Sequence, residues 1–239
     1  MNSVGSLTLD VHKQLHEDLV AGRIPAGYRL KTVNLAKQFD VSLSAVREAL
    51  TKLSAEGLVV AHPQRGFRAA SISAEELKQV ADAVMIIDVA CLRRSIAAGD
   101  KNWEDEVRRS FSDFAETSSK VHAAEASHSE RYRATYSAFR SALVSACDNQ
   151  VLLEMRRNIL VRSERHEHIC AALGALRPRV AAEYEAVVEA ALARDTARAV
   201  RLMKTRYSRN TARFLAAFES SEPSDIAAAE NARADQKYR

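Results

Sequence analysis

Cysteine, glycine and proline are scarce in this chain, and each shortage closes off a class of protein. The three cysteines, Cys91, Cys147 and Cys170, are odd in number, far apart and form no C-x-x-C pair. A disulfide framework is therefore not expected. The pattern points to a reducing cytoplasm, where each thiol is a small apolar group on a helix. With 7 Gly and 4 Pro in 239 residues, regular structure has few natural breaks. A Gly-rich phosphate loop, a nucleophile–base pairing and a carboxylate metal cluster are all missing, so an enzyme is not expected. No apolar run approaches the length that crosses a bilayer. The first residues, MNSVGSLTLD, lack the basic stretch and apolar core of a secretion signal. No membrane partner is expected.

What remains is rich in Ala, Leu, Arg and Glu, the composition of a helical protein. A hydrophobic content of 47% over 239 residues allows a small domain beside a larger one. The formal net charge is +4. Residues 1–70 hold nine Lys and Arg against six Asp and Glu. That balance is compatible with a nucleic-acid partner but too modest to attract phosphates by bulk charge, so placement has to matter.

The most informative stretch is Val41 to Ala70, VSLSAVREALTKLSAEGLVVAHPQRGFRAA. Ser42 is positioned to cap a helix starting near Leu43. Val46, Ala49, Leu50, Leu53 and Leu58 form a stripe facing the core. Ser44, Arg47 and Lys52 point outward. Gly57 ends the helix in the left-handed conformation. Leu58-Val59-Val60 begins a strand, His62 to Gly66 is a polar turn, and Phe67 to Ala70 returns. This order predicts a winged helix-turn-helix, with Arg47 one turn into a helix able to enter the major groove. The other reading of the same pattern is an ordinary helix and hairpin with Arg47 simply solvated. Upstream, Leu7–Ala21 and Thr32–Phe39 are the expected first and second helices, with a turn at Pro25 and Gly27.

Ile24-Pro25-Ala26-Gly27-Tyr28-Arg29-Leu30, Leu35-Ala36, Val41-Ser42, Val46-Arg47-Glu48-Ala49-Leu50, Leu53, Glu56-Gly57-Leu58 and Arg65-Gly66 together resemble the DNA-binding domain of the GntR family of bacterial transcription regulators. The resemblance spans residues 8 to 70. It implies a double-stranded DNA operator, contacted through Thr32, Ser42, Ser44, Arg47, His62, Gln64, Arg65 and Gly66. Two positions depart from the family. Leu43 stands where the family usually has a DNA-contacting Arg after the Val-Ser pair, and Lys31-Thr32 occupies the region of the usual acidic residue.

Ser73 followed by Glu76 is a capping box, and the boundary of a second domain is expected there. Segments Ser73–Ala98, Trp103–Val121, Glu125–Ala146, Gln150–Ala172, Arg177–Ala193 and Asp195–Phe218 each carry apolar residues at helical spacing. Gly99-Asp100, Asp148-Asn149 and Arg194-Asp195 break them. The expected fold class is mainly α: an N-terminal winged helix-turn-helix with a small β wing (1–70), an antiparallel all-helical bundle (73–220) and a disordered tail (221–239).

The bundle, through its place after the wing, Phe139, Asn149, Glu183-Tyr184, Ala190, Asp195, Ala199 and Met203, resembles the FCD domain of the FadR subfamily. The resemblance implies an effector-binding and dimerisation domain, often holding a metal through Asp and His ligands. Aligned to that pattern, the ligand positions hold Tyr136, Arg140, Tyr184 and Arg206. Arg keeps its proton and does not ligate a cation. No metal and no cofactor are therefore expected. In their place, Arg140 and Arg206, with Tyr136 and Tyr184 beside them, are expected to bind a small organic acid. The alternative is that these arginines pair with carboxylates and close the pocket. His12 and His16 are read as surface residues, Trp103 as packing, and Arg156, Arg157, Arg162 and Arg165 as solvated charges, the alternative being that these arginines border the pocket mouth. The functional expectation is a homodimeric transcription regulator, repression being the commoner mode in the family, with operator affinity set by the acid. The alternative is an effector-independent DNA-binding protein with a degenerate pocket.

Overall fold

The computed structural model describes residues 4–120, 130–173, 175 and 180–221. Residues 222–239 of the expected tail, and His122 and His128, lie outside these residues. The described residues form α1 (Val4–Val20), β1 (Arg29–Leu30), α2 (Thr32–Phe39), α3 (Leu43–Ala55), β2 (Val59–His62) and β3 (Gly66–Ala69). Then come α4 (Ala74–Ala98), α5 (Lys101–Lys120), α6 (Glu130–Ala142), α7 (Gln150–Ala172), α8 (Val180–Leu192) and α9 (Thr196–Glu219). Among the described residues no helix is long and apolar enough to cross a membrane.

These elements pack as two units. The first comprises described residues 4–77, 160–173 and 218–221. Its core gathers Leu15 and Leu19 from α1, Ile24, Leu50 and Leu53 from α3, and Leu58, all fully buried. Ser42 caps α3 as its spacing predicts, its hydroxyl accepting from the Ala45 N–H at 3.2 Å. The helix ends on Gly57 at φ 75°. The Gly57 N–H donates to the Ser54 carbonyl at 3.1 Å and the Leu58 N–H to that of Leu53 at 3.0 Å, the paired bonds of a Schellman cap. A side chain at Gly57 would also be crowded, since its Cβ would lie 3.0 Å from Cδ of Arg162, which would have to shift.

The wing is a sheet of three strands in the order β1-β3-β2, all antiparallel, rather than the expected two. Arg29 and Leu30 pair with Arg68 and Phe67. A strand of two residues has no periodicity to read, so only its partner reveals it. The wing turn follows the sequence reading. Pro63 and Gln64 occupy its middle, Gln64 at φ 60°, and the Arg65 N–H closes it on the His62 carbonyl at 3.0 Å.

The second half of α7 also belongs to this unit. Val161 packs on its core. Arg162 pairs with Glu76 at 2.6 Å, and Arg165 donates to the Ala70 carbonyl at 2.6 Å. Arg165 is buried, so the expectation of a solvated charge is wrong there. His12 and His16 are half-buried rather than on the surface. His12 bonds Glu56 at 2.7 Å, and His16 lies 3.7 Å from the same carboxylate. Ser73 caps α4 through the Glu76 N–H at 3.1 Å, while the Glu76 carboxylate serves Arg162.

The second unit, described residues 78–120, 130–159, 175 and 180–217, is wholly helical. Each break read from the sequence supplies a cap. Asp100 accepts from the Trp103 N–H, Asn149 from that of Leu152 and Asp195 from that of Arg198, at 2.9, 3.0 and 2.9 Å. Trp103 is a packing residue, as expected. It is buried, and its indole N–H donates to the Ala142 carbonyl at 3.1 Å. Phe114 of α5 stacks on Phe139 of α6 at 5.6 Å, and the Phe139 ring meets that of Tyr184 edge-on at 4.9 Å.

Candidate functional site

Two arrangements of side chains can do chemistry, one in each unit. In the first unit, α2, α3 and the wing enclose a concavity of about 740 Å³. Its lining includes Thr32, Arg47, His62, Gln64, Arg65 and Gly66, six of the eight residues nominated as DNA contacts. Ser42 and Ser44 do not line it. Both are exposed near the start of α3, and the Ser42 oxygen is engaged as the cap. Arg29, Lys31 and Asn34 line the concavity and were not nominated. The pairing of β1 with β3 delivers Arg29, and Lys31 directly precedes α2. Lys31 was noticed only as a departure from an acidic position. Among the described residues, no carboxylate lies within ion-pair distance of Arg29, Lys31, Arg47 or Arg65. Four solvated cations around one groove, with backbone N–H groups at the start of α2, suit a phosphate backbone.

In the second unit the four residues nominated for a ligand converge from three helices. Tyr136 and Arg140 are one turn apart on α6, Tyr184 is on α8 and Arg206 is on α9. All four are at most 8% exposed. The Tyr136 and Tyr184 hydroxyls are 3.4 Å apart. The Arg206 guanidinium lies 4.1 Å over the Tyr184 ring and 4.7 Å over that of Tyr207, and Arg140 lies 5.4 Å over Tyr136.

Three further residues complete this cluster: Asp88 and Tyr207, which the sequence reading missed, and Arg156, which it read as solvated or at the pocket mouth. Asp88 of α4 pairs with Arg156 of α7 at 2.5 Å and with Arg140 at 3.6 Å. Tyr207 donates its hydroxyl proton to Asp88 and accepts from Arg140 at 3.3 Å. Arg156 also donates to the Arg140 carbonyl at 3.0 Å. Arg156 is 4% exposed, so reading it as a solvated charge was wrong. The available signal was Asp88 itself, an acid inside the run VADAVMIIDVACL. A charge there is costly unless it is paired.

Burial alone would raise the Asp88 carboxyl. Arg156, then Arg140, together with hydrogen bonds from Tyr207 and Arg156, outweigh it and hold the group below the usual carboxylate range. Burial raises the Tyr184 phenol well above its ordinary value despite Arg206 beside it. It therefore stays neutral and is a poor metal ligand. Guanidinium groups and neutral phenols do not form a donor set for a divalent cation. The described residues contain no group of three or more His, Cys, Asp or Glu able to hold one. What the set does offer is cationic: the Arg140 and Arg156 guanidinium groups on one carboxylate and that of Arg206 over the Tyr184 and Tyr207 rings, with the Arg140 Nε buried and unbonded.

A winged helix-turn-helix in one unit and an all-helical second unit are the parts of a DNA-binding transcription regulator. Residues 7–68 match the bacterial regulatory proteins of the gntR family, and residues 79–209 match the FCD domain. The HTH-type transcriptional repressor GlaR of Escherichia coli K12 is 30% identical over 203 residues, 82% of this chain and 90% of that protein. The HTH-type transcriptional regulator BphR of Paraburkholderia xenovorans LB400 is 29% identical, across 84% of this chain and 82% of its own. Among solved structures, a putative GntR regulator from Rhodococcus sp. RHA1 shares the fold with a TM-score of 0.71. That match is at 21% identity and covers 88% of this chain and 98% of the other. The chain belongs to the GntR family and carries an FCD domain; it is a DNA-binding transcription regulator, not an enzyme.

Proposed function

We propose that this regulator is a homodimeric repressor that binds a palindromic operator and is released or retained by a small organic anion, without a metal. Residues 1–70 make the operator contacts. Arg47 reads base edges, Ser42, Ser44 and Thr32 hold phosphates at helix starts, and His62, Gln64, Arg65 and Gly66 track the backbone from the wing. The observation that carries this part is the groove shared by Arg47 and the wing residues, lined by unpaired cations. Two copies related by a twofold axis present two such grooves to half-sites about one helical turn apart. Repression is carried over from GlaR, a transcriptional repressor 30% identical to this chain.

Residues 73–220 hold the effector and the dimer contacts. Arg140 and Arg206 receive its carboxylate or phosphate, and Tyr136 and Tyr184 flank it. The buried, unbonded Arg140 Nε supports this assignment. An effector shifts operator affinity only if it binds the DNA-competent and incompetent arrangements unequally. The test is a calorimetric titration of small dicarboxylic acids against the full chain and Arg140→Ala, with operator anisotropy measured in parallel. Loss of one charge-assisted contact weakens binding by about 10- to 100-fold. Equal affinities for the two proteins refute the site.

A second reading is favoured by the pairing of Asp88 with Arg140 and Arg156. On that reading the arginines neutralise a structural acid, the pocket is degenerate and DNA binding is effector-independent. Operator affinity indifferent to every acid tested, with no heat of binding, would decide for it.

A further inference from the structure

The outward face of α3 is formed by Leu43, Ser44, Arg47, Glu48, Thr51, Lys52 and Ala55, and Leu43 is the one large apolar side chain among them. It is 45% exposed. A single exposed leucine ordinarily needs no explanation. This one does, because of where it stands. It opens α3, directly after the capping Ser42, and one turn before Arg47, which lines the groove. Residues at i and i+4 share a helix face, so Leu43 and Arg47 look the same way. The fold does not require a leucine there. The core stripe of α3 is Ala45, Val46, Ala49, Leu50 and Leu53. The cap is Ser42, and any polar side chain would satisfy the exposed position.

The N-terminal residues of a recognition helix are those that reach base edges. Leucine neither donates nor accepts a hydrogen bond, so it cannot read guanine, adenine or cytosine by pairing. The apolar feature that the major groove offers is the thymine 5-methyl group. We infer that Leu43 is a specificity-determining residue that packs on a thymine methyl in each operator half-site, beside the base or phosphate contacted by Arg47. Val33, 54% exposed in the first turn of α2, is an apolar side chain lining the groove that Arg47 also lines. This inference rests on the operator reading proposed above and adds a base to it.

The expected size follows from burying one methyl group, about fourfold in affinity for each half-site and about fifteenfold when both are changed. The experiment begins by selecting duplexes from a randomised pool with the full-length protein. Each thymine of the selected site is then replaced by uracil, which removes only the methyl group. Affinities of wild type, Leu43→Ala and Leu43→Arg are measured by fluorescence anisotropy at one salt concentration. The expected result is a single thymine per half-site whose replacement weakens the wild type about fourfold and leaves Leu43→Ala unmoved. Repeating the selection with Leu43→Arg is expected to return guanine at or beside that step. Uracil effects of equal size in wild type and Leu43→Ala would overturn the inference while leaving the operator reading intact. Failure of the wild type to select any sequence would overturn both.

Discussion

Replacing Asp88 by Asn tests the buried centre of the helical unit. The carboxylate is 3% exposed and lies against Arg156 at 2.5 Å and Arg140 at 3.6 Å, each of these arginines 4% exposed. Asn keeps the shape and removes the charge, leaving two buried guanidinium groups without their counter-ion. Breaking a buried pair in this way costs about 3–5 kcal/mol. Against a total stability of about 5–15 kcal/mol that is a large fraction. Urea unfolding is a suitable assay, with an expected fall in the midpoint of about 1–3 M. The pH dependence provides a second readout. Asp88 is held below its ordinary range in the folded protein, so its contribution is present in full above the unfolded-state value near 4 and is lost as pH falls through the depressed folded value. The gap between wild type and Asp88→Asn should therefore be constant near neutrality and narrow in acid. A loss below about 1 kcal/mol, or a gap that stays open in acid, would show that the carboxylate is not the buried counter-ion described here.

Other perturbations have equally definite outcomes. Gly57→Ala places a side chain at φ 75° and against Arg162, and is expected to cost about 1–2 kcal/mol in urea unfolding, with part of the loss recovered in an Arg162→Ala background. His166 is pushed down to about 3 by burial and by Arg165 and Arg162, so it stays neutral in the folded chain while the unfolded chain takes a proton. Stability should therefore fall by about 1.4 kcal/mol per pH unit below the ordinary imidazole range, and His166→Gln should flatten that slope. Arg47→Ala should relax selectivity at one base by about 1–3 kcal/mol. Arg65→Ala should weaken all duplexes alike and lower the salt slope by about one, both read by anisotropy across a salt series.

The DNA-binding half was legible because its signals are local. Ser42 lies three residues before the N–H it caps, Gly57 sits where a left-handed residue must end α3, and the stripe from Val46 to Leu53 repeats at the helical period. The breaks at Asp100, Asn149 and Asp195 were legible for the same reason, since an N-cap is written within four residues. β1 escaped notice because two residues carry no period, and with it went Arg29. The Arg-Tyr cluster was half legible: resemblance to a family pattern marked Tyr136, Arg140, Tyr184 and Arg206, while the acid in the apolar run at Asp88 signalled only that it needed a partner, not which one.

By itself, then, the chain determined its helices, the capped starts at Ser42, Asp100, Asn149 and Asp195, the wing turn and the face that α3 turns outward, all of which follow from spacings of two to four residues; the end of α6, four residues before the expected Ala146, did not. Tertiary structure decided the rest. It set Asp88 against Arg156, 68 positions away, and Tyr207, 119 positions away. It also carried Arg165 to the Ala70 carbonyl across 95. Which charge is buried with which partner depends on the packing of whole helices, and burial is what turns an arginine that reads as solvated into one that cannot lose its counter-ion.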